Sequence, residues 1–157
     1  FFLAKKNKPQ PQRPQAWITL IWHMGLRLPW VWRLGPSNSS ERAHVMEMLD
    51  EEEFPRNTLF CGDAGFVGYA LWTHILSHGF DFLVRVGANV SLLTEMADCT
   101  IGRNGQVLCW PKTAMHSGQP PLRLRLVKVQ IGKTWVWMLT SVLTRSKLPR
   151  PQIVNFL

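Results

Sequence analysis

Leu59-Phe60-Cys61-Gly62-Asp63-Ala64-Gly65-Phe66-Val67-Gly68-Tyr69 is the stretch whose reading decides the fold. An apolar run reaches one carboxylate, a glycine turn follows, and a helical apolar period then begins. An α/β protein presents an acid in this way at the carboxyl end of a buried strand, where such folds place their chemistry. The same residues also suit a plain strand-to-helix turn in which Asp63 only caps the next helix. Spacing alone leaves both readings open.

Working outward, Val67, Leu71, Trp72, Ile75 and Leu76 form a broad apolar arc, so a helix is predicted from Val67 to Ser77, with Gly79 as its C′ residue. Phe80-Asp81-Phe82-Leu83-Val84-Arg85-Val86 then reads as a strand. Together with Thr58–Gly62 it completes a strand–helix–strand unit of the kind that pairs in parallel. His74 and His78 stand four apart, a spacing that can hold a metal. No Cys, Asp or Glu sits at a matching position in that helix, which favours two rim histidines.

Upstream, Asn38-Ser39-Ser40-Glu41 has capping-box spacing, with Asn38 as the expected N-cap and Glu41 reaching back. Val45, Met48 and Leu49 supply an apolar stripe, and the helix should stop before Pro55. The run Asp50-Glu51-Glu52-Glu53 lies at its carboxyl end and reads as a solvated terminus. Trp17–Met24 and Leu28–Leu34 are predicted to form an antiparallel hairpin around Gly25-Leu26-Arg27. Trp30 and Trp32 share one face, which implies that this face is covered. Residues 1–15 are a basic, proline-rich tail or linker.

Beyond Gly87 the character becomes β-rich. Val107–Trp110, Leu122–Gln130 and Trp135–Leu143 are strand candidates, and Ile131-Gly132-Lys133-Thr134 is a hairpin turn. Leu122-Arg123-Leu124-Arg125-Leu126 alternates as a half-exposed strand with its arginines on one face. This half is either an antiparallel subdomain or a continuation of the same sheet. Pro149 begins a further helix. The resulting division is 1–15 tail, 16–87 α/β core, 88–145 β-rich insertion and 146–157 the start of a last helix.

Composition narrows the class. A chain of 157 residues with 46% apolar content can build one packed domain. Three cysteines form no CxxC pair, and Cys61 reads as a small buried hydrophobe. No signal peptide is visible and no apolar run is long enough for a bilayer, so a soluble, reducing, cytoplasmic setting is expected. Charge is segregated: residues 1–40 carry six Lys/Arg and no acid, residues 41–98 hold all ten acids, and residues 99–157 carry nine Lys/Arg and no acid. Basic flanks of this kind suit a polyanion.

The chemistry available is limited. There is no GxSxG elbow and no GxxxxGK[ST] loop. Two-metal phosphoryl transfer needs several acids around ions about 4 Å apart. Yet no acid precedes Glu41 or follows Asp98. Asp81 should lie at the end of its strand opposite Asp63, and Glu95 and Asp98 fall in an irregular stretch.

Gly35-Pro36-Ser37-Asn38-Ser39-Ser40-Glu41-Arg42, Gly62-Asp63-Ala64-Gly65-Phe66-Val67-Gly68-Tyr69 and Phe80-Asp81-Phe82-Leu83-Val84-Arg85-Val86 occur in an order and spacing that resemble the catalytic domain of DDE transposases of the insertion-sequence-4 type. The resemblance covers about residues 15 to 145. It implies a ribonuclease-H-like mixed sheet with a β-rich insertion, with the hairpin, the Asp63 strand and the Phe80 strand in one sheet and Asp63 at the edge of a central strand. It makes Asp63 the second catalytic aspartate and a ligand of Mg²⁺ or Mn²⁺, and Arg85 a DNA contact. Arg123, Arg125 and Lys128 of the following basic strand are further candidate DNA contacts. The implied partners are transposon ends and target DNA, with a homodimer in the intact enzyme, in a bacterial cytoplasm near the nucleoid; no membrane and no small-molecule substrate are implied. The departures are equally definite. The family's first aspartate lies on a strand upstream of the hairpin, where this chain has no acid. Its third acid belongs to a Y-x₂-R-x₃-E helix, and the only tyrosine here is Tyr69. The resemblance is therefore to the middle of a transposase, with one of three catalytic acids and no activity expected alone; a non-catalytic remnant or a basic DNA-associating α/β domain is the alternative.

Overall fold

A computed structural model describes residues 16–87, 93–94, 98–111 and 119–157. Strand β1 (Ala16–His23) pairs antiparallel with β2 (Leu28–Pro36), as the two Trp/Ile/Val/Leu runs require. Helix α1 (Glu41–Glu51) follows, then β3 (Leu59–Gly62), a 3₁₀ turn (Ala64–Phe66), α2 (Tyr69–Ser77) and β4 (Asp81–Gly87). The β-rich half supplies β5 (Asp98–Ile101), β6 (Gln106–Trp110), β7 (Leu122–Ile131) and β8 (Thr134–Thr140), and α3 (Arg150–Asn155) closes the series. Residue Glu95 lies outside the described residues.

Six strands form one mixed sheet in the order β3-β4-β8-β7-β6-β5. The β3–β4 pair is parallel through α2, with Leu59 opposite Asp81 and Gly62 opposite Val84; the remaining pairs are antiparallel. Of the two arrangements open for the β-rich half, continuation of the same sheet is the one found, because β8 pairs directly with β4. Strand β5 was not foreseen; it adds Asp98, read as irregular, to the far edge opposite Trp110.

The hairpin departs from expectation. It is a separate two-stranded sheet, so β3 is an edge strand rather than a central one. The hairpin docks on α1 instead: Thr19 Oγ1 lies 2.9 Å from His44 Nδ1, both residues are buried, and Ile21 and Val31 pack against the core. Arg33 pairs with Glu51 at the far end of the same helix. Without a sheet neighbour the hairpin leaves its rings half-exposed, so Trp30 and Trp32 are not on a covered face. Trp30 finds partial cover by stacking between His23 and Phe54. Edge position also explains Cys61, which is exposed rather than buried, although the apolar groups around its sulfur still push the thiol up to about 11.

Helix starts and stops follow local chemistry. Asn38 is not the N-cap. A turn closed by Ser39 N–H on the Pro36 carbonyl (2.9 Å) delays the helix, and Ser40 caps it by accepting from Ala43 N–H. Helix α2 ends at Gly79, whose φ of 76° needs no side-chain strain. Gly79 N–H bonds the Leu76 carbonyl and Phe80 N–H the Ile75 carbonyl, the paired bonds of a Schellman end. In the β7–β8 turn Gly132 takes a φ of 57°.

The core has two parts, one on each sheet face. Val45, Met48 and Leu49 of α1 and Leu71, Trp72 and Ile75 of α2 cover Phe82, Val84, Val86, Leu124 and Leu139. Trp72 is fully buried and stacks on Phe82 with centroids 5.5 Å apart. Truncating such a ring costs about 3–5 kcal/mol. On the opposite face Leu148 and Ile153 cover Leu83, Val127, Val129, Val136 and Met138.

Candidate active site

Asp63 stands one residue past β3, at the carboxyl end of the parallel pair. The alternating exposure of that edge strand carries its carboxylate to the surface, and Asp63 is exposed. Its Oδ1 accepts the Gly65 N–H at 2.8 Å, so it caps the 3₁₀ turn. Helix α2 itself has Gly68 at its N-cap with no side-chain bond. Capping and an outward-facing carboxylate therefore coexist, because the cap uses one oxygen.

Neighbouring groups hold the turn. Trp72 Nε1–H donates to the Phe66 carbonyl at 3.1 Å, tying the turn to the core. Arg42 Nη1 donates to the Val67 carbonyl at 3.1 Å from the first turn of α1. A Cβ at Gly68 would lie 3.0 Å from that same Nη1, so glycine leaves room for the guanidinium. Glu41 arrives beside it: a Cβ at Gly65 would sit 3.1 Å from Asp63 Oδ1 and 3.9 Å from Glu41 Oε2. Two carboxylates thus converge on Gly65. Glu41 belongs to the capping stretch of α1, and its approach to Gly65 is a tertiary feature that no local pattern encodes.

Asp63 and Arg85 line one cavity of about 770 Å³ between the hairpin and the open edge of β3. Leu20 to Gly25 and Trp30 form one wall, and Leu59 to Asp63 the other. Arg85 is exposed near the carboxyl end of β4. Asp81 lies at the opposite end of the pair, as expected, where it accepts from Ser141 Oγ at 2.6 Å.

A strand-end acid, a parallel β3–α2–β4 unit and an antiparallel continuation match one known pattern: the transposase DDE domain family matches residues 18–157. The chain belongs to that family. No curated protein and no solved structure matches it. Membership as a transposase DDE domain makes DNA the partner and divalent metal ions the cofactor class, and the mixed α/β fold agrees with a ribonuclease-H-like domain. No helix among the described residues is long and apolar enough to cross a membrane.

The site fits such an ion in donor type but not in number. Asp63 offers the hard oxygen that Mg²⁺ or Mn²⁺ takes. Among the described residues, however, no group of three possible ligands includes Asp63.

The remaining basic candidates of this transposase domain separate. Arg123 is exposed on β7. Arg125 shares its face but is buried, because the segment leading into α3 lies over that part of the strand. Its Nη2 donates to the Leu148 carbonyl at 2.8 Å. Burial, and then repulsion from Arg145, lower its pKa. Lys128 is exposed, with its Nζ 5.2 Å from the Trp135 ring centroid and 5.4 Å from that of Trp137. The alternation gave the face of each residue; only the packing of residues 144–153 decides which arginine reaches solvent.

Proposed function

We propose that this domain works in metal-dependent DNA strand cleavage and transfer of the insertion-sequence-4 type, contributing Asp63 as one ligand of Mg²⁺ or Mn²⁺. The observation that carries the reading is Asp63 held outward at the carboxyl end of β3 within a family match spanning residues 18–157. Arg85, which shares the cavity with Asp63, and Arg123 and Lys128 on β7 are the proposed DNA contacts. Arg125 is left out because its guanidinium is engaged inside the fold. DNA-bound homodimers in a bacterial cytoplasm belong to the same reading.

These 157 residues alone are proposed not to cleave, since one acid with Glu41 nearby is short of the set that in-line phosphoryl transfer needs. The competing reading, a non-catalytic DNA-associating domain, draws on the Lys128–Trp135–Trp137 cluster, whose cation and flat rings suit phosphate and base stacking. One pair of measurements separates the two. Mn²⁺ binding followed by electron paramagnetic resonance should weaken at least tenfold in Asp63→Asn, whereas unchanged binding removes Asp63 from the ligand set. Supercoiled plasmid with Mg²⁺ or Mn²⁺ should stay intact, and metal-dependent nicking lost in Asp63→Asn would overturn the proposed inactivity.

A further inference from the structure

Asp50, in the last turn of α1, reaches His74 of α2 and His78 at its C-cap. Its Oδ1 lies 2.9 Å from His74 Nε2 and 3.2 Å from His78 Nε2, and the three atoms fall within 4.8 Å of one another. The sequence alone gives a solvated terminus at the acid run and no third ligand within the histidines' own helix. Helix packing supplies the ligand from the neighbouring helix. We propose that Asp50, His74 and His78 form a zinc-class metal site that staples α1 to α2.

The spacing supports this. Zinc bonds of about 2.0–2.1 Å in a tetrahedron place neighbouring ligand atoms about 3.3 Å apart. Both Asp50–histidine distances are close to that value, so only the two nitrogens need to approach each other. The setting of His78 supports it too. Its Nδ1 lies 3.1 Å from the His74 carbonyl, and Nε2 is the ring nitrogen that faces Asp50 Oδ1. That backbone contact is the outer-shell support that metal-bound imidazoles use. His74 Nε2 also lies 3.3 Å from the Met46 carbonyl.

The ring of His78 stacks on Phe80, with centroids 6.2 Å apart, which limits its rotation. The histidine side chains are just over one-quarter exposed and Asp50 about half, leaving a path for the ion and a fourth position for water. Two imidazoles and one carboxylate prefer Zn²⁺ over Mg²⁺. The site is separate from Asp63 and does not rest on the proposed catalysis. Its consequence is mechanical: fixing α1 against α2 holds Arg42 over the Val67 carbonyl.

Thermal unfolding of the whole chain tests the site. Zn²⁺ at a hundredfold excess over Kd should raise Tm by about 5–10 °C, and Mg²⁺ at the same concentration should not. Asp50→Asn, His74→Gln and His78→Gln should each abolish the rise, while Asp63→Asn keeps it. Co²⁺ added to the unmutated chain should give the visible d–d bands of a four-coordinate site at one ion per chain, a readout that does not depend on any variant folding. No zinc-dependent shift, an equal Mg²⁺ shift, or a shift surviving in His78→Gln would overturn the proposal.

Discussion

Thr140→Val isolates a buried side-chain bond at the β4–β8 joint, where the two halves of the sheet meet. Thr140 is fully buried at the end of β8, and its Oγ1 donates to the Phe82 carbonyl of β4 at 2.6 Å. The same oxygen accepts the Val142 N–H at 3.1 Å. Valine keeps the shape, so no cavity term enters, and the loss is purely polar. The Phe82 carbonyl retains the Ser141 N–H, which limits that part to about 1 kcal/mol. The Val142 amide is left with no acceptor, at about 1–3 kcal/mol. A total of about 2–4 kcal/mol follows, or a Tm lower by about 4–16 °C for a chain of this size. Urea unfolding followed by tryptophan fluorescence should show a lower midpoint at unchanged m. A change below about 0.5 kcal/mol would refute the two hydrogen bonds assigned to the Thr140 hydroxyl. A similar loss in Ser141→Ala, whose Oγ bridges Asp81 Oδ1 and the Phe82 amide, would mark its bonds at that joint as equally stabilising.

Gly79→Ala meets open space at a φ of 76°, so it should cost about 1–2 kcal/mol of backbone strain alone, read by chemical denaturation. Duplex DNA binding by anisotropy should fall about fortyfold between 50 and 200 mM salt if three phosphates are contacted, and Lys128→Ala should flatten that slope; no salt dependence would refute a phosphate interface. Cys61 deprotonates at about 11, so its alkylation rate should keep climbing about tenfold per pH unit from pH 8 to 10, without a plateau near 9. Because folding raises this pKa, the unfolded chain holds fewer protons above pH 9, and stability falls there. The Cys109 side chain, with its sulfur 2.7 Å from that of Cys99, lowers the Cys99 pKa, so mass spectrometry should find Cys99 alkylated before Cys61 at pH 8.

The parts of the fold legible in the sequence were those set by neighbours in the chain. The arc from Val67 to Leu76, the Gly79 stop and the strand after it each depend on residues a few positions apart, and each is present. Asp63 at the strand end was legible for the same reason. Placement of the hairpin was not, since nothing in its alternating Trp, Ile and Val residues states whether α1 or a strand will receive it. The same limit hid Glu41 beside Gly65, Asp50 beside His74, and the burial of Arg125 but not Arg123. In each case the deciding partner comes from an element distant in the chain.

The pairing of β4 with β8 also orders the birth of the domain. Phe82 and Thr140 lie 58 positions apart, and every residue between them must leave the ribosome before that bond can close. Until then the β3–α2–β4 unit leaves one edge of β4 unpaired, with Leu83 uncovered on the face that residues 148–153 later close. Closing so long a loop late makes assembly slow and exposes that strand to other chains in the meantime. Co-translational capture by a strand-binding chaperone, or aggregation when synthesis is fast, is the expected cost of joining the sheet at its middle.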